Sequence, residues 1–145
     1  MKHLTELAIE VNNGNAQKGL WDDFEKVRVY DTAEKSEFSG AVKTAFINQF
    51  LMLITSEASE ACEALRKDNR ATTKGRLIVE KYGMETPEGK KAFEAHVKDT
   101  FEDELADTLI RILDLAGGLQ IDIGWHVRNK LMYNAQREAK HGKKF

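Results

Sequence analysis

The stretch Ile54-Thr55-Ser56-Glu57-Ala58-Ser59-Glu60-Ala61-Cys62-Glu63, with its echo Glu102-Asp103-Glu104-Leu105-Ala106-Asp107, decides how this chain is read. Each predicts a helix with two carboxylates three residues apart, Glu57 with Glu60 and Glu104 with Asp107. That spacing puts both acids of a pair on neighbouring points of one helix face. Helix packing that joins the pairs would gather four carboxylates, a cluster whose mutual repulsion calls for a cation.

Glu57 makes the sharper demand. From Ser36 or Ser39, either able to cap a helix start, the chain runs to Lys67 with no glycine after Gly40 and no proline, which predicts one long helix. Its apolar stripe passes through Phe46, Phe50, Leu53, Ile54, Ala61 and Ala64, and at helical pitch Glu57 falls in the middle of it. An ionised carboxylate in a packed seam is costly unless paired or bound to a cation. The second acidic helix starts near Thr100, where Thr100 and Asp103 approximate a capping box, and ends at Gly117-Gly118. Phe101, Leu105, Leu109, Ile112 and Ala116 form its main apolar face. Glu104, Asp107, Arg111 and Asp114 line the other side, a stripe that by itself is what any amphipathic helix shows to water.

Outward from these helices the signals weaken. Leu4, Leu7, Ala8 and Val11 predict a first short helix over residues 4–17. Residues 19–37 show no dominant period and read as a loop with one helical turn. Within it, Trp21 either covers the edge of the core or stacks on a nucleobase. Residues 68–99 are polar and broken by Gly75, Gly83 and Pro87, an excursion with short helical segments around 75–81 and 88–98. The last helix begins after the N-cap Asp122 and points Ile123, Val127 and Leu131 inward. Lys130, Asn134, Arg137 and His141 share one polar stripe on it, although the helix dipole favours cations at such an end whatever their function. No strand-period run occurs. The expectation is an all-α fold, a helical bundle of four to five main helices in a single domain spanning 1–145.

The bulk numbers narrow the class. With 145 residues, 41% hydrophobic, 32% charged and a net charge of -2, the chain shows neither the composition of disorder nor the basic excess of a nucleic-acid binder. Cys62 is the single cysteine, which excludes an intramolecular disulfide and agrees with a reducing compartment. No apolar run reaches the ~18 residues of a membrane span, and the first residues lack a secretory pattern. A cytoplasmic protein with neither membrane nor nucleic acid among its partners is expected. Helix faces apolar on more than one side suggest a homodimer or homotetramer.

Carboxylate clusters favour hard cations, magnesium or manganese, over zinc or copper, which ask for histidine or cysteine. Inward acids at helical spacing occur in carboxylate-bridged di-metal bundles, but the Glu-x-x-His pattern of those sites is absent here. Magnesium on carboxylates keeps waters and takes substrate phosphates, which points to phosphoryl or nucleotidyl chemistry.

The ordered set Gly-Leu-Trp-Asp at 19–22, Ser-Glu-Ala-Ser-Glu-Ala at 56–61, Asp-Glu-Leu-Ala-Asp-Thr-Leu-Ile-Arg-Ile-Leu-Asp at 103–114, then Lys130, Asn134, Arg137 and a His-Gly-Lys-Lys-Phe end resembles the MazG-like nucleotide pyrophosphohydrolases. These belong to the all-α nucleoside triphosphate pyrophosphohydrolase superfamily, which includes the dimeric dUTPases. The resemblance covers residues 16–66 and 100–145. It implies an oligomeric helical bundle that hydrolyses a nucleoside triphosphate, with a pyrimidine or modified deoxynucleotide as substrate class, to the monophosphate and pyrophosphate with magnesium. By position it assigns Glu57, Glu60, Glu104 and Asp107 as metal-binding and catalytic acids, and Lys130, Asn134 and Arg137 to the substrate phosphates. Two features depart from the family. Ser56 stands where many members have a glutamate, and the 68–99 excursion is longer than the usual connection.

Overall fold

A computed structural model describes residues 2–34 and 37–136, and among them every regular element is an α-helix. In chain order these are α1 (Lys2–Gln17), α2 (Asp22–Glu34), α3 (Glu37–Arg66), α4 (Thr73–Tyr82), α5 (Pro87–His96), α6 (Phe101–Gly118) and α7 (Ile123–Ala135). The all-α expectation holds. No helix among the described residues is long and apolar enough to cross a membrane. Arg137 and His141 lie outside the described residues.

The main departure is α2, where sequence reading expects a loop. Its local signals are electrostatic rather than an apolar period, and Phe24 anchors it by burial against Trp21. Asp22, Asp23 and Glu25 occupy the first turn, where the helix dipole favours negative charge. Lys26 pairs with Asp23 and Arg28 with Glu25, both at 2.8 Å and three residues apart. Neither glycine nor proline interrupts it.

The chain forms two compact units, one from residues 1–35 with 113–145 and one from residues 36–112. In the first, Ala8, Leu113 and Ala116 make a small core flanked by Leu4, Val11 and Ile123. Asp114, on the stripe that sequence reading leaves to solvent, is 0% exposed. Its Oδ1 accepts from Asn12 Nδ2 at 2.9 Å and from Trp21 Nε1 at 2.8 Å, which offsets part of the cost of burying a carboxylate, while Oδ2 is buried with no partner among the described residues. Trp21 is 3% exposed and meets Phe24 edge to face at 5.3 Å. At the start of α7, Asp122 accepts from Trp125 N–H at 3.0 Å and from the Thr5 hydroxyl at 2.6 Å, two bonds that hold its carboxyl below the usual range.

Gly117 and Gly118 lie inside α6 and permit close approach. A Cβ on Gly117 would stand 2.3 Å from the Ala8 carbonyl oxygen, and one on Gly118 would stand 2.1 Å from the Trp21 ring. The helix is closed further on by Gln120, left-handed at φ 56°, with Ile121 N–H bonding to Ala116 O at 2.8 Å and Gln120 N–H to Gly117 O at 3.0 Å.

In the 36–112 unit, α3 buries Phe50, Ala61 and Ala64 and half-buries Phe46, Leu53, Ile54 and Glu57, the stripe its sequence predicts. It stops at Asp68, φ 54°, where Asn69 N–H reaches back to Ala64 O at 2.9 Å. Asn69 then clasps the start of α6. Its side chain donates to Asp99 O at 2.7 Å, and its carbonyl accepts from Phe101 N–H at 2.9 Å. The excursion is a tight helical hairpin. Thr72 caps α4 and Thr86 caps α5, with Pro87 in the first turn, where its missing N–H costs nothing. Gly89 packs so closely that a Cβ would meet the Gly83 carbonyl oxygen at 1.7 Å.

These contacts separate two glycines that both lie within helices. Gly14 lies within α1 with nothing within 4 Å of an added Cβ, so Gly14→Ala should stabilise by about 0.5–1 kcal/mol through helix propensity. Gly118→Ala should instead destabilise by about 1–3 kcal/mol through overpacking against Trp21. Urea denaturation of the two variants measures both signs.

Candidate metal centre

Three of the four expected acids come together. One carboxylate oxygen each from Glu57 of α3 and Glu104 and Asp107 of α6 lie within 4.8 Å of one another. Glu57 is placed by the apolar stripe of α3, and the α6 pair by the capping of that helix. The Thr100 hydroxyl accepts from Asp103 N–H at 3.4 Å, and Asp103 Oδ2 accepts from Asp99 N–H at 3.0 Å. This is the exchange that the capping-box reading anticipates, carried by the residue before Thr100. Thr100 itself is buried.

Glu104 is 6% exposed, and its carboxylate accepts no hydrogen bond among the described residues. Burial pushes its carboxyl above the usual range, and the charges of Glu60, Asp107, Asp103 and Glu57 push it the same way. The Asp107 carboxyl is raised by burial and then by Asp103 and Glu57, with Arg111 opposing. Neighbouring negative charge is the shared cause after desolvation.

The partner that Glu57 needs within this unit is Arg111, which sequence reading leaves on a solvated stripe. Arg111 Nε donates to Glu57 Oε1 at 2.9 Å, and the Glu57 side chain is 14% exposed. The guanidinium neutralises part of the cluster and leaves Glu57 Oε2 available. Glu60 is exposed, accepts from the Ser56 hydroxyl at 3.3 Å, and lines the cleft over the three acids without joining their cluster. That cleft, about 560 Å³, is also lined by Lys98, a cation absent from the sequence-based list. Lys98 bonds both oxygens of Asp99 at 2.7 and 2.9 Å, which raises its pKa, and Asp103 and Glu104 add to the effect. Nothing in the local sequence marks Lys98, since one lysine in a polar segment carries no period.

The remaining expected residues belong to the other unit. Lys130 is exposed with its Nζ 5.1 Å from the Tyr133 ring centroid, and Asn134 is half-buried with Oδ1 unpartnered among the described residues. Trp21 sits in the core on Asp114, the packing arrangement of the two weighed from sequence, and at 3% exposure it offers no open ring face in this chain.

Oxygen-only donors at this separation fit a hard cation such as magnesium or manganese, and offer nothing to a soft one. Comparison of the chain with protein-family models, curated proteins and solved structures finds no match.

Raised carboxyl pKa values have a definite sign. They favour the folded state below the unfolded value of about 4, and that contribution is lost as pH rises through the elevated native values. At neutral pH without metal, Glu104→Gln should therefore raise Tm by a few degrees, the response of a chain this size to about 1 kcal/mol. Wild-type Tm should rise with added magnesium or manganese, and that increment should vanish in Glu104→Gln. Thermal melts at pH 5 and 7.5, with and without the ion, measure both effects.

Proposed function

We propose that the chain is a magnesium-dependent nucleoside triphosphate pyrophosphohydrolase of the MazG-like kind, acting on a pyrimidine or modified deoxynucleoside triphosphate. The observation that carries this reading is the convergence of Glu57, Glu104 and Asp107, one carboxylate oxygen of each lying within 4.8 Å of the others. Three acids drawn together at energetic cost, with an open cleft above them, are an arrangement that a cation and its polyphosphate would relieve.

A magnesium ion bound there would neutralise phosphate charge and make a water more nucleophilic. Glu57, Glu104 and Asp107 would hold the ion, and Glu60, which lines the cleft, would accept a proton from the attacking water. Lys98 supplies positive charge at the same cleft, where it would meet phosphate oxygens. Lys130, Asn134 and Arg137 remain candidates for further phosphate contacts. The exposed Leu105, Leu109 and Ile112 along α6 offer an apolar surface to a second copy, which supports a homodimer or homotetramer of the bundle type. Such an enzyme would work in the cytoplasm.

A second reading is a nucleotide-binding bundle without turnover. Arg111 on Glu57 and Ser56 on Glu60 favour it, because each acid is engaged by a side chain that weakens it as a ligand or base.

The test is a nucleotide panel with magnesium. Pyrophosphate and monophosphate should appear for at least one deoxynucleotide, and Asp107→Asn should reduce the rate by about a hundredfold or more, within the range of a lost acid–base or metal contact. Orthophosphate as the only phosphate product, or no turnover with any nucleotide, would reject the enzyme. Metal-dependent nucleotide binding without product would select the second reading.

A further inference from the structure

The hairpin of α4 and α5 builds a second cleft of about 470 Å³, within the range of small-molecule sites. Thr73 and Arg76 of α4, Phe93 of α5 and Asp103 and Ala106 of α6 line it. Phe93, Asp103 and Ala106 also line the cleft over the acids, so the two clefts are neighbours. Along α6 the separation is short. Asp103 precedes Asp107 by four residues, about 6 Å of helix axis.

The polar groups around this cleft divide into committed and available ones. Thr72 Oγ1 is occupied in capping α4, where it accepts from Gly75 N–H at 3.0 Å. The Glu102 carboxylate accepts from Ala71 N–H at 2.8 Å and from Arg70 at 3.4 Å, bonds that keep it ionised. Arg76 uses only Nε, on Glu80 at 3.1 Å, so its terminal guanidinium N–H groups make no bond among the described residues. The Thr73 hydroxyl likewise has no partner among them. Asp103 accepts from Asp99 N–H at 3.0 Å through Oδ2, and beside it remain an aromatic ring, a forked donor and a hydroxyl around a largely apolar space. That set recognises a flat heterocycle with carbonyl acceptors.

We propose that this cleft receives the nucleoside end of a nucleotide whose phosphates lie over Glu57, Glu104 and Asp107. Phe93 forms the wall against the base, and Arg76 and Thr73 contact its carbonyl oxygens. The hairpin is then the specificity element of the site. This inference rests on the nucleotide reading above and adds the residues that select the organic part of the ligand.

Titration calorimetry with manganese separates the two claims. Inorganic tripolyphosphate reports on the acids and Lys98 alone, and a deoxyuridine triphosphate analogue with an imido α–β bridge reports on both clefts. Phe93→Ala removes the ring, and Thr73→Trp fills the cleft. In each variant the analogue should bind about tenfold or more weakly, the size of a lost base–aromatic contact, while tripolyphosphate affinity stays within about twofold in Thr73→Trp, whose residue lines the second cleft alone. Circular dichroism identifies a variant that fails to fold, and the other variant then decides the matter. Unchanged analogue affinity in the folded variants, or equal losses for both ligands in Thr73→Trp, would overturn the proposal. If wild-type protein binds neither ligand, the acid site itself is misread and the inference falls with it. Tripolyphosphate binding with no added affinity for the analogue overturns the inference alone.

Discussion

The separation of Glu57, Glu104 and Asp107, with oxygens within 4.8 Å, is the constraint on which the candidate site depends. Like charges so close in a partly dry place repel, and the raised carboxyls of Glu104 and Asp107 record that repulsion together with their burial. Elements around them supply the compensation. Arg111 ties one oxygen of Glu57, and Lys98 brings positive charge to the rim of the cleft. Thr100, Asp103 and the Asn69 clasp fix the first turn of α6, and so the height at which its two acids stand.

α6 uses its sides unlike an ordinary surface helix. In the 36–112 unit Glu104 is buried and Asp107 half-buried, while Leu105, Leu109 and Ile112 are exposed. In the other unit its final residues are buried, with Leu113, Leu115 and Ala116 among apolar neighbours and Asp114 bonded to Asn12 and Trp21. One amphipathic sequence thus carries a polar interior in one stretch and a packed interior in the next. Gly117 and Gly118 complete the second by letting α1 and the Trp21 ring approach its backbone.

The parts legible in sequence are those governed by local rules. The long α3 follows from an uninterrupted apolar stripe, and the starts of α6 and α7 follow from Thr100 and Asp122. The position of Glu57 in that stripe already implied a partner. Its identity was hidden, because Arg111 lies fifty-four positions away on a stripe indistinguishable from a solvated face. α2 was illegible for another reason. Short-range ion pairs and dipole-favoured acids hold it, and these leave no hydrophobic period. The glycine pair read as a helix stop, and α6 does end at Gly118; the pair's tertiary contact with Ala8 and Trp21 is what the sequence did not show. Lys98 and the hairpin cleft depend on the packing of α4, α5 and α6, which no single segment encodes.

The most direct measurement on the acid cluster is manganese paramagnetic resonance on the purified chain, following the signal of free ion as protein is added. The expected result is stoichiometric loss of the free-ion signal, tighter binding when a nucleoside triphosphate analogue is present, and no loss in the double variant Glu104→Gln, Asp107→Asn. A free-ion signal unchanged by wild-type protein, or ion binding that survives intact in the double variant, would contradict a cation site at Glu57, Glu104 and Asp107.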